Sequence, residues 1–231
     1  MHIPDGYLSP ATFGFFYAVM IAIWAWASRV LKKVLKLRQV PILALGSAFS
    51  FVIMMFNIPV PGGSTGHATG GALLAIVLGP WAALISISIA LFVQAVIFGD
   101  GGLTTFAANS FNIAFIMPFS GYYLYKLICI GKPSTARKIF AAGFAGYISL
   151  NLAAIFTGIE LGLQPLIASK PDGQPLYAPY PLKIAVPAMA LEHLILFGFI
   201  EAAVTSAVIS YILKNERTLL YTEHKWKYKI P

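Results

Sequence analysis

His67-Ala68-Thr69-Gly70-Gly71-Ala72-Leu73-Leu74-Ala75-Ile76-Val77-Leu78-Gly79-Pro80-Trp81 is the stretch on which the fold turns. It lies in an apolar run from Gly66 to Phe98, too long for one ordinary membrane span of about 20 residues. Gly79-Pro80 interrupts that run. Proline has no backbone N–H, and its ring clashes with the preceding helical turn. The run is therefore predicted to split into a short helix, about His67 to Leu78, and a full one, about Trp81 to Phe98. Short helices at membrane depth have ends that can face a ligand.

Composition makes the bilayer the solvent. The 231 residues are 58% hydrophobic and 10% charged, with mean hydropathy +0.79. A soluble domain carries about 25% charged residues. The predicted class is an all-α integral membrane protein with seven transmembrane helices, one of them short. Upstream of the split run, Ser9 is placed to cap a helix whose first residue is Pro10. Ala11 to Ser28 follows as the first span and Val40 to Ile58 as the second, then a breaker-rich loop from Pro59 to Gly71. No basic segment precedes the first run, and no small-residue cleavage site follows before Arg29, Lys32 and Lys33, so it reads as a retained span and not a signal peptide. Downstream come the Gly99-Asp100-Gly101-Gly102 loop and spans at about Thr105 to Tyr125, Ile139 to Leu161 and Ile184 to Leu213. The chain reads as one membrane domain over 1–231: an external metal-chelating terminus (1–9), a seven-helix bundle (10–213) and a cytoplasmic basic tail (214–231).

Charge placement supports this count. With the N-terminus outside and the C-terminus inside, the inner loops and tail hold 14 of the 16 Lys and Arg, leaving Lys170 and Lys183 outside. Without the Gly79-Pro80 break, the basic loop of Lys126, Lys132, Arg137 and Lys138 falls on the wrong side. The net charge of +8 thus belongs to membrane orientation and not to nucleic acid. A lone Cys129 excludes a disulfide framework or a cysteine zinc site.

The same topology brings Met1-His2-Ile3-Pro4-Asp5-Gly6-Tyr7 and the His67 loop to one external face. A histidine directly behind Met1 sets three nitrogens in a row: the terminal amine, the His2 amide and His2 Nδ1. Wrapped on one ion, they close a five- and a six-membered ring, both nearly planar. His67 can supply a fourth nitrogen, with Gly62-Gly63 allowing close backbone approach. Four nitrogens in a square plane point to Ni(II) or Cu(II), with Co(II) also possible. The plainer reading is two solvated histidines.

At Met-His-Ile-Pro-Asp-Gly-Tyr, Pro-Gly-Gly-Ser-Thr-Gly-His-Ala, and Phe-Gly-Asp-Gly-Gly before Asn109-Ser110-Phe111-Asn112, the chain resembles the substrate-binding membrane subunit (CbiM/NikM) of energy-coupling-factor cobalt and nickel transporters. The resemblance covers essentially the whole chain. It implies a multi-pass protein of the cell membrane, without enzyme activity of its own, that takes up Co(II) or Ni(II) as transported substrate, cobalt serving cobalamin biosynthesis. It implies Met1, His2 and His67 as the metal ligands. It also implies partners: a coupling transmembrane subunit, ATPase subunits and a small accessory membrane subunit. In related transporters a small-residue pair such as Ala44 and Ala48 docks on the coupling subunit.

Other residues are open to two readings. Asp5 and Asp100 can accept a proton from a ligand imidazole, or merely cap turns. Ser64, Asn109 and Asn112 can line the pocket. Glu160, Glu192, His193 and Glu201 fall in or near spans, where ionisable groups are functional suspects; simple structural pairing explains them equally well. A different class, an intramembrane metal-dependent hydrolase using His67, His193 and a carboxylate, needs an open coordination position and His193 near the outer pocket. Gly131-Lys132-Pro133-Ser134 lacks the upstream glycine of a phosphate-binding loop, so no ATP is expected on this chain. The chelate predicts that an Ala inserted between Met1 and His2 abolishes metal retention, and that mass spectrometry finds Met1 unblocked. Full metal retention by such a variant would remove the terminus from the site.

Overall fold

The computed structural model of the chain describes residues 1–34, 40–60 and 64–221. Helices dominate, as they must where no water can satisfy the backbone. Helix α1 (Pro10–Val34) begins as predicted, the Thr12 N–H donating to Ser9 Oγ at 3.4 Å. Helix α2 (Val40–Met54) stops short of the expected Ile58. In place of an irregular loop the chain forms an antiparallel hairpin, β1 (Ile58–Val60) with β2 (Ser64–Gly66), which corrects the all-α expectation. Ile58 pairs with Gly66, Pro59 with Thr65 and Val60 with Ser64. β-Branched residues flanking a short glycine-containing connection carry a hairpin signal, hidden here among the breakers.

Helix α3 (Gly71–Leu78) and helix α4 (Pro80–Val93) meet at the predicted break. Helix α3 begins later than His67 because Gly70 is left-handed (φ 72°) and ends the helical path on that side. Gly79 adopts φ 86°, ψ 155°, a conformation essentially reserved for glycine. Pro80 has no N–H to offer the Ile76 carbonyl. The Tyr221 N–H donates to it instead, at 3.2 Å, and the Tyr221 ring lies against Gly79. At the other end of α3, the carboxylate of Glu201 accepts from the Thr69 and Gly70 N–H groups at 2.7 and 3.1 Å. Both ends of this short helix are thus satisfied by distant parts of the chain.

Helix α4 runs on through a π turn, Gln94–Phe98. Helix α5 (Phe106–Asn109), a π segment (Ser110–Ile116) and helix α6 (Met117–Ile128) form one helical run. Helix α7 (Thr135–Gly162) is capped by Ser134, whose Oγ accepts from the Arg137 N–H at 3.2 Å. A short helix α8 (Gln164–Ile167) follows. Helix α9 (Leu182–Glu192), a π turn (His193–Phe197) and helix α10 (Gly198–Asn215) make a run of 34 residues. Among the described residues four runs are long and apolar enough to cross a membrane: Pro10–Lys33, Pro80–Phe98, Thr135–Ile167 and Leu182–Asn215.

The core is built from small residues. On α7, Ala141, Ala145, Ala153 and Ala154 are fully buried, letting neighbouring helices approach closely. Large apolar side chains such as Phe15, Phe140, Ile195 and Phe199 stand exposed on the outside, as on a lipid-facing surface. Met1 belongs to the largest apolar cluster, with Met54, Leu74, Met117 and Phe197. At Gly79 an added methyl has neither an allowed backbone nor space, meeting the Tyr221 ring at 3.1 Å. Gly79→Ala is expected to cost about 1–3 kcal/mol, read as a lowered melting temperature in detergent.

Candidate metal centre

The first residues are held by the loop before α5 and by Asn109 of α5. The Ile3 N–H donates to Asn109 Oδ1 at 2.8 Å. The Ile3 carbonyl accepts from Asn109 Nδ2 and the Gly102 N–H, both at 3.0 Å, and from the Thr105 hydroxyl. Asp5 accepts from the Leu103 and Thr104 N–H groups at 3.1 and 2.8 Å and from the Thr104 hydroxyl. These donors hold its carboxyl below the usual carboxylate range, the Thr104 side chain contributing most. Ile3 and Leu8 pack their side chains with Phe16 and Met20 of α1. A terminus that would ordinarily fray is thereby immobilised. The Met1 amine donates to the Thr65 carbonyl of β2 at 3.2 Å.

This clamp lays the His2 ring against the His67 ring, centroids 4.7 Å apart and tilted by 54°. His67 is almost wholly buried. Its Nδ1 lies 3.1 Å from the Ala68 carbonyl, which assigns the ring proton to Nδ1 and the lone pair to Nε2. His67 Nε2 and both His2 ring nitrogens are buried without a hydrogen-bond partner among the described residues. His2 Nδ1 lies 3.0 Å from Asp100 Oδ1, at ion-pair distance but out of line for a hydrogen bond.

Burial dominates the electrostatics. It lowers the Met1 amine and the His2 imidazole, although carboxylates nearby (Glu192 and Asp100 for the amine, Asp100 for His2) pull the other way. His67 is held well below the usual imidazole range, by burial first and then by the positive charges of His2 and the amine. Burial pushes the Asp100 carboxyl up, but His2 and the amine outweigh it and hold it down. Burial thus favours the neutral form of these nitrogens, the form a metal requires.

The remaining candidates separate. Asp100 does face His2, but at Nδ1, the nitrogen the chelate needs, and not at Nε2. Asp5 holds a turn and touches neither ring. Asn109 clamps Ile3. Asn112 points into the bundle, its Nδ2 donating to Thr157 Oγ1 at 3.1 Å and Glu160 Oε2 at 2.9 Å. Ser64 pairs in the hairpin, and its side chain lies outside the described residues. His193 is buried on the π turn, with Nδ1 2.8 Å from the Met189 carbonyl and 3.3 Å from Glu192 Oε1. Ala44 and Ala48 are exposed on α2, whose Gly46, Ser47 and Ser50 are buried. Among the described residues no three His, Cys, Asp or Glu side chains gather round one point. Sequence reasoning missed Gly102 and Thr105, whose only signal was their place in a loop shared with Asp100.

A family profile described as "Cobalt uptake substrate-specific transmembrane region" (CbiM) matches residues 2–219. A fused nickel transport protein of Rhodobacter capsulatus is 47% identical over 221 residues, which are 95% of this chain and 64% of that protein. The chain therefore spans just under two thirds of that relative's length. A cobalt transport protein of Moorella thermoacetica is 33% identical over 165 residues, 71% of this chain and 62% of that protein. A crystal structure described as a truncated transition metal transporter superposes with a TM-score of 0.88 at 50% identity, covering 93% of this chain and 99% of that one.

The clamp makes a prediction of its own. A methyl group added at Gly102 would meet Asp5 Oδ1 at 2.3 Å and the Asp5 backbone nitrogen at 2.4 Å. Gly102→Ala is expected to dislodge residues 1–5, so that the Ile3 amide exchanges its hydrogen as fast as a free chain end. Unchanged protection at Ile3 would show that the terminus is held by something else.

Proposed function

The chain belongs to the CbiM family, and from that premise we propose that it is the substrate-capturing component of an ATP-driven energy-coupling-factor importer for Co(II) or Ni(II). The observation that carries the reading is the meeting of a buried amine-terminal histidine with His67, ring centroids 4.7 Å apart, at unpartnered nitrogens. In this reading the ion is bound by the Met1 amine, the His2 amide nitrogen, His2 Nδ1 and His67 Nε2. The Met1 amine gives up the Thr65 carbonyl, and His2 Nδ1 gives up Asp100. Asp100 then stands beside the site as a negative charge facing a divalent ion losing its water. Asn109 holds the chelating residues in register through Ile3, and Asp5 supports the same clamp.

Selectivity is set by geometry and supply. Raw affinity at a nitrogen site rises from Co(II) to Ni(II) to Cu(II), so the transported metal depends on what reaches the outer face and on coupling to transport. The charge distribution supports seven membrane helices with the N-terminus outside the cell membrane. Such a chelate has no release mechanism of its own. The work of opening it comes from ATPase subunits acting through a coupling membrane subunit, with a small accessory subunit in the same assembly. The exposed Ala44–Ala48 side of α2 is the docking surface this reading favours. The intramembrane hydrolase reading has less support, because His193 turns its Nδ1 to Met189 and Glu192, and among the described residues no three His, Cys, Asp or Glu side chains gather round one point.

Two variants separate capture from assembly. His67→Ala is expected to lose more than the ~10–100-fold in metal affinity that removal of an outer partner of a ligand costs, while still co-purifying with the coupling and ATPase subunits. Ala44→Trp is expected to keep its metal and lose those partners. Metal content and co-purification are scored together. Loss of metal from Ala44→Trp with assembly intact would overturn the docking assignment, and metal retention by His67→Ala would overturn the site.

A further inference from the structure

Glu201 is fully buried in the first turn of α10, far in sequence from the candidate site. Its Oε2 accepts from Thr69 N–H at 2.7 Å and Gly70 N–H at 3.1 Å. The Thr69 N–H belongs to the same peptide group as the Ala68 carbonyl, and that carbonyl faces His67 Nδ1 at 3.1 Å. The peptide unit is planar and trans, so its two poles point in opposite directions. One pole is held by a carboxylate and the other by the imidazole. Around it, Ser50 Oγ donates to the Thr69 carbonyl at 2.8 Å, and the Thr69 hydroxyl donates to Met117 Sδ at 3.0 Å and accepts from the Gly71 N–H at 3.1 Å. Helices α2, α6 and α10 therefore fix this one residue from three directions.

We propose that Glu201 is a positioning residue for the His67 ligand, acting through the Ala68–Thr69 peptide. Histidines that bind metals are ordinarily oriented by a carboxylate or carbonyl on the second ring nitrogen, which fixes the tautomer and raises ligand basicity. Here the two devices stand in series. A negative charge on the amide pole polarises the peptide, makes the Ala68 oxygen a better acceptor for the Nδ1–H, and so places more electron density on Nε2. Hydrogen-bond chains strengthen one another in this way in a low-dielectric interior. Both N–H donors stand at the start of α3 and converge on one carboxylate oxygen. The arrangement gives the last membrane helix a direct hold on a ligand that lies outside it.

The inference rests on His67 being a metal ligand, and its test separates the two. Ni(II) affinity and the d–d absorption band are measured for the full-length wild type, Glu201→Gln and His67→Ala. Glutamine keeps the size and one acceptor oxygen and removes the charge. The expected result for Glu201→Gln is Ni(II) affinity weaker by about 10–100-fold, with the d–d band moved to lower energy and the metal-free melting temperature close to wild type. A lowered melting temperature with unchanged affinity and band would make Glu201 merely structural and overturn the proposal. If His67→Ala keeps the wild-type affinity and band, the ligand assignment itself fails, whatever Glu201→Gln does. Hydrogen exchange on the wild type covers the case in which Glu201→Gln does not fold. Ni(II) is expected to slow exchange at Thr69 and Gly70 more than at Leu73 and Leu74; equal slowing would overturn the proposal.

Discussion

A ligand site made from a chain terminus depends on that terminus being immobile. The amine and amide of the first two residues have no scaffold of their own, and every useful distance to His67 is set by how the next residue is held. Here that residue is Ile3. Its N–H and carbonyl are both engaged by Asn109, with Gly102 and Thr105 adding to the carbonyl. Losing a buried hydrogen bond and stranding its partner costs about 1–3 kcal/mol, and Ile3 is held by several such bonds together. The clamp places Met1 in the main apolar cluster and His2 against His67.

The membrane shapes the other half of the site. A helix as short as α3 cannot cross a bilayer, so its ends lie among other helices and their polar groups need partners there. Glu201 supplies one end and Tyr221 the other. The segment before the short helix, which carries His67, is positioned by the same contacts that make the short helix possible. The placing of His67 and the break at Gly79-Pro80 are two consequences of one design.

Much of this was legible in the sequence because it rests on local chemistry. Gly79-Pro80 ends a helix whatever surrounds it. Ser9-Pro10 starts one. The histidine behind Met1 and the glycine-flanked His67 come together, ring centroids 4.7 Å apart. What was not legible depends on distant partners. Gly70 is left-handed and moves the start of α3 away from His67. The hairpin at 58–66 was read as an irregular loop because its strands are only three residues each. Nearness to Asn109 makes Asn112 a candidate to line the pocket. The π segment and the partners Thr157 and Glu160 direct it elsewhere. Asp100 was expected near a histidine, but which ring nitrogen it faces could only come from the packed structure. Glu201 gave no sign of its partners, since a carboxylate in a span says only that it must have some.

The central claim is that two backbone nitrogens and two imidazoles bind one transition-metal ion in a plane. The most direct test is X-ray absorption at the nickel edge of the Ni(II)-loaded, full-length protein. The account predicts a four-coordinate, square-planar spectrum with light nitrogen neighbours, no sulfur, and the multiple scattering of imidazole rings. A six-coordinate, oxygen-rich shell, or a tetrahedral one, would contradict it.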